Sequence, residues 1–114
     1  MVTENPAEAE VKITKRGKTA TVKILNYLSP TILARMNIER SLFNEQIGDF
    51  RAQIDYVLID TNHNGKVFKT NVRDFPEERK DFVKGEYKLA LDKSGARIAV
   101  KIVDMLGEEV LVIK

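Results

Sequence analysis

The sequence predicts a mainly β domain, an antiparallel β-sandwich with one short helical insertion. Three observations carry this expectation. The chain closes on a strand–turn–strand unit, R-I-A-V-K-I-V-D-M-L-G-E-E-V-L-V-I-K over 97–114, where Ile98, Val100 and Ile102 alternate with Arg97, Ala99 and Lys101. That period of two sets the first group on one face of a sheet. Seven or so short segments of this kind recur, with turn residues between them, as in two packed sheets. A helix-start signal, Ser29-Pro30, interrupts them.

Residues 1–9 read as a flexible lead-in with Asn5-Pro6 and small or acidic side chains, leaving 10–114 as a single domain. Val11 and Ile13, set against Lys12 and Lys15, begin a first strand. Lys15-Arg16-Gly17-Lys18 turns the chain, and Thr19 to Tyr27 returns with Val22 and Ile24 on one face. Ser29 is an N-cap and Pro30 suits the first helical position. Ile32, Leu33 and Met36 follow at helical spacing, so a short helix is expected from Pro30 to about Asn37. Ser41 to Phe50 fits either a helix, with Phe43, Ile47 and Phe50 on one face, or extended chain.

Gln53 to Asp60 reads as a strand whose near-continuous apolar run suits a central position covered on both sides. Asn62-His63-Asn64-Gly65 is a turn signal, with Lys66 to Thr70 as the expected return strand. Asn71 to Lys84 is a charge-dense loop with one helical turn expected after Pro76. Glu86 to Leu91 is a strand with Tyr87, Leu89 and Leu91 inward. Lys93-Ser94-Gly95 turns it, and Ala96 to Asp104 and Glu108 to Lys114 complete the sheets. Asp104, ahead of Met105-Leu106-Gly107, reads as a turn-former whose carboxylate accepts backbone N–H bonds.

The chain has 114 residues, 43% hydrophobic and 32% charged, enough for one domain with its own core. It has no apolar run of roughly eighteen residues and no basic-then-apolar start, so neither a membrane span nor a signal peptide is expected. Cysteine is absent, which fits a cytoplasmic protein. The net charge of +2 decides little, but its distribution does more. Lys12, Lys15, Arg16, Lys18 and Lys23 lie between Val11 and Ile24 with no acid among them. Such a stretch is either a solvated strand edge, where lysine blocks edge-to-edge pairing, or a patch that contacts phosphates. For a DNA or partner contact, the candidate residues are Lys15, Arg16 and Lys18 in the first turn.

Chemistry is sparse. Asp60-Thr61-Asn62-His63-Asn64-Gly65 matches the opening of a calcium loop, but Asn71 stands where the bidentate Glu belongs, and a strand precedes it. A plain turn is the other reading. His63 is the sole histidine and is expected to be exposed; with no Cys it offers no zinc set. Ser29, Ser41 and Ser94 sit in ordinary cap and turn contexts, outside any G-x-S-x-G elbow. No G-x-G exists to cradle a phosphate. No catalytic, cofactor-binding or metal residue is nominated.

Three segments together carry a resemblance: L-S-P-T-I at 28–32, I-D-Y-V-L-I-D-T-N-H-N-G-K-V-F at 54–68, and V-K-I-V-D-M-L-G-E-E at 100–109. They resemble the C-terminal accessory region of site-specific adenine DNA methyltransferases, the modification subunits of type III-like restriction systems. The run from Val100 is also similar to the last strands of polycystic-kidney-disease-type and other Ig-like sandwiches, although Lys93-Ser94-Gly95 replaces the H-x-Y-x-x-P-G-x-Y that precedes that strand there. The resemblance implies an Ig-like sandwich in the cytoplasm that packs on the parent enzyme, its restriction subunit or the DNA backbone. The D-P-P-Y-type catalytic motif and the F-x-G-x-G cofactor loop are absent, so it implies a non-catalytic part of such an enzyme, with no cofactor of its own. The rival reading is an Ig-like protein- or carbohydrate-binding module of an extracellular protein.

Overall fold

A computed structural model describes residues 6–36, 48–77 and 81–114. Its elements are β1 (Glu8–Arg16), β2 (Thr19–Leu28), α1 (Pro30–Arg35), a 3-10 turn (Phe50–Gln53), β3 (Ile54–Asp60), β4 (Val72–Asp74), β5 (Glu86–Ala90), β6 (Ala99–Asp104) and β7 (Glu109–Ile113). The strands form two antiparallel sheets, β1-β2-β5 and β4-β3-β6-β7. Their inner faces meet in one core: Val22, Ile24, Tyr87 and Leu89 from the first, Val57, Ile59, Val100 and Ile102 from the second. The mainly β class stands as the sequence predicted, and the described residues include the expected short helix after Ser29.

The local chemistry explains the boundaries. Arg16 pairs with Thr19, so Gly17-Lys18 is a two-residue turn. Gly17 takes φ 60°, which the turn requires and a side chain resists. Ser29 Oγ accepts from Ile32 N at 3.2 Å and caps α1. Leu25 is an extra residue in β2, because Asn26 pairs with Glu10 while Ile24 pairs with Val11. This bulge resets the alternation, turning Asn26 out and Tyr27 in. Asp55 plays the same part in β3 and stays exposed while Ile54 and Val57 are both buried.

Several expectations change. The residues 66–70 form no strand; β3 pairs instead with β4, inside the stretch read as loop. The polar side chains of 60–71 bind their own backbone, which holds that connection open. β3 is central in its sheet, but its outer face is half-covered, with Tyr56 stacked on exposed Phe75 at 4.6 Å. β1 opens at Glu8, inside the expected lead-in. The 3-10 turn takes Phe50 to Gln53, capped by Asp49; most of the undecided 41–50 stretch, and the centre of the expected turn after Pro76, lie outside the described residues.

Antiparallel neighbours send successive connections to opposite ends. Tyr27 Oη donates to Asp104 Oδ2 at 2.8 Å, tying the ends of β2 and β6. The β1–β2, β3–β4 and β5–β6 connections therefore emerge together at the other end.

Candidate nucleic-acid interface

Lys15, Arg16 and Lys18 are all exposed at the tip of the first hairpin. The turn is locked beneath them: Thr19 Oγ1 donates to the Arg16 carbonyl at 2.8 Å, and Leu91 N donates to the Lys18 carbonyl at 2.7 Å. The second bond fastens the turn to the β5–β6 connection. No ion pair engages the three cations among the described residues. Their charge faces solvent from a fixed backbone.

The same end carries more charge of one sign. The β3–β4 connection (61–71) holds exposed Lys66 and Lys69 and no acid; the β5–β6 connection (91–98) holds exposed Lys93 and Arg97 with Asp92. The opposite end differs. There a cleft of about 490 Å³ is lined by Asp55, Glu77, Asp81 and exposed Phe82 and Met105, with Arg51 already bonded to Asp49 at 2.8 Å. Sequence reasoning missed Lys66, Lys69, Lys93 and Arg97 because they are scattered along the chain. Assigning alternate connections to alternate ends would have gathered them.

The D-T-N-H-N-G stretch is a self-bonded loop. Asp60 Oδ1 accepts from Asn62 N at 3.0 Å; Oδ2 accepts from Lys69 N at 2.9 Å and meets His63 Nδ1 at 3.1 Å. Asn64 Oδ1 accepts from Lys66 N and Val67 N. These oxygens bind their own backbone, and no metal-holding group of His, Asp and Glu occurs among the described residues. His63 corrects the expectation of exposure: it is buried, paired with Asp60 and tilted against Phe68. Asp104 accepts from Leu106 N and Glu108 N, as its turn-forming reading required.

Burial would raise the Asp60 carboxyl, but the Lys69 and Asn62 N–H groups and His63 outweigh it and hold it below the ordinary range. A depressed folded value adds stability that is fully present above the unfolded value and is lost as pH falls through the folded one. Asp60→Asn is therefore expected to cost about 1–2 kcal/mol at pH 7. The gap should narrow as pH drops below about 4. Urea unfolding of both proteins at neutral and acid pH checks this; a gap that does not change with pH contradicts it.

A second cleft of about 460 Å³ lies between the β4 and β5 edges, lined by Arg73, Asp74, Lys84, Tyr87 and Lys88. Its Asp74 accepts from Tyr87 Oη at 2.6 Å and from Lys84 N at 2.7 Å, so it serves to hold the two sheets. Burial first, then that carboxylate, push the Tyr87 phenol well above its ordinary value. Among the described residues no helix is long and apolar enough to cross a membrane. No family model, curated protein or solved structure matches this chain.

Proposed function

We propose that this chain is an Ig-like β-sandwich accessory domain of an adenine-specific DNA methyltransferase, and that its first hairpin turn contacts the DNA backbone. The observation that carries the reading is the turn itself: Lys15, Arg16 and Lys18 are exposed on a backbone fixed by hydrogen bonds, at an end poor in acids. Fixed cations of this kind suit phosphates, which position a protein on a duplex without reading its bases. The three methyltransferase-like segments supply the enzyme context.

The strand order supports the Ig-like assignment. A constant-type Ig domain pairs strands 1-2-5-4 and 3-6-7 in chain numbering. Here 1-2-5 and 3-6-7 are kept, while β4 has moved across to β3. In this reading the domain positions DNA or docks on its enzyme or restriction partner, and catalysis belongs to other parts of that enzyme.

Fluorescence anisotropy with a labelled duplex at low salt tests the DNA contact. Replacing Lys15, Arg16 and Lys18 together by Ala is expected to weaken binding roughly tenfold or more and to flatten the salt dependence by roughly three contacts' worth. Unchanged affinity would remove the turn from the interface.

A further inference from the structure

We infer that the phosphate-contacting surface is a composite of all three connections at this end, with Lys66, Lys69, Lys93 and Arg97 engaging the same duplex as the hairpin turn. The inference rests on the DNA-contacting reading of that turn and names its missing partners.

Continuity is the first argument. The Lys18 carbonyl accepts from Leu91 N at 2.7 Å, joining the turn to the β5–β6 connection. The Arg97 carbonyl accepts from His63 N at 2.8 Å, joining that connection to 61–71. The Arg97 guanidinium also lies over Gly65: its Nη1 is 3.3 Å from where a Cβ on Gly65 would stand. The three connections are thus fastened into one surface by backbone bonds.

Preorganisation is the second. The 61–71 connection contains no strand and is longer than the median connection of about 4–6 residues, so its order needs a cause. Asp60 and Asn64 bind its backbone, Asn71 Nδ2 donates to Thr61 Oγ1, and Lys101 Nζ lies 4.8 Å above the Phe68 ring. Lys66 and Lys69 ride on this frame with solvent-exposed side chains. Binding then spends little free energy on ordering the loop.

Charge is the third. Counted with Lys15, Arg16 and Lys18, these connections gather seven Lys or Arg against a single exposed acid, Asp92. Crowding like charges opposes folding through self-repulsion. A polyanion laid across the end relieves that repulsion and releases its own counterions. The opposite end, with Asp55, Glu77 and Asp81 around its cleft, orients the molecule on approach.

The test is the salt slope of duplex binding by the whole chain, between about 25 and 200 mM salt. Lys66→Ala with Lys69→Ala, and separately Lys93→Ala with Arg97→Ala, are each expected to flatten the slope by roughly 2. Lys84→Ala, toward the opposite end, should leave it unchanged. If neither pair changes the slope while the hairpin triple variant does, the composite surface is overturned and the turn remains the sole contact. If the unaltered chain shows no duplex binding at the lowest salt, the DNA reading itself fails, and this inference with it.

Discussion

Asp104→Ala should destabilise the domain by about 3 kcal/mol or more, among the largest effects of any single substitution. Asp104 is 1% exposed and takes part in five hydrogen bonds at once. Its Oδ2 accepts from Tyr27 Oη; its Oδ1 accepts from Leu106 N and Glu108 N; its own backbone N–H and carbonyl close the β6–β7 turn against Glu108 and Gly107. Removing the carboxylate leaves a buried phenol and two turn N–H groups without an acceptor, and each orphan costs more than the bond itself gained. Burial, then the Asp104 carboxylate, hold the Tyr27 phenol far above its ordinary value in the unaltered protein, so it stays protonated and donates. Tyr27→Phe leaves the turn intact and orphans only Asp104 Oδ2, so it should cost less, about 1–2 kcal/mol. Equilibrium urea unfolding of both variants checks the contrast; equal losses would mean that the turn bonds contribute nothing.

Ile102→Ala should cost about 3 kcal/mol, chiefly through the cavity it leaves. Ile102 is fully buried, pairs across the sheet with Val57 on one side and Val110 on the other, and belongs to the core that both sheets share. Leu111, the residue after Val110 and the register partner of Lys101, points outward and is half exposed, so Leu111→Ala should cost well under about 1 kcal/mol. Similar losses at the two positions would contradict the assignment of inner and outer faces in the second sheet.

Alternation made most of the sheet legible. Val22 and Ile24, Tyr87 and Leu89, and Val100 and Ile102 all point inward as their period of two required. The Ser29-Pro30 signal worked because its chemistry is local, a hydroxyl reaching an N–H three residues ahead. What failed depended on partners distant in sequence. The bulges at Leu25 and Asp55 break the alternation, and only the facing strand reveals them. The Asn64-Gly65 signal was overruled because Asp60 and Asn64 bind the loop backbone and delay pairing until Val72. His63 looked exposed in a polar turn, yet Asp60 draws it inside. The basic turn could be read locally, whereas the remaining cations of that end could not. Their grouping follows from which connections share an end, and so from the strand count.

The most direct test of the central claim is amide chemical-shift mapping of the isotope-labelled chain titrated with a short DNA duplex at low salt. The account predicts perturbations confined to 15–19, 61–71 and 91–98, fading as salt is raised. Shifts gathered around Asp55, Phe82 and Met105 at the opposite end, or none at any salt, would contradict it.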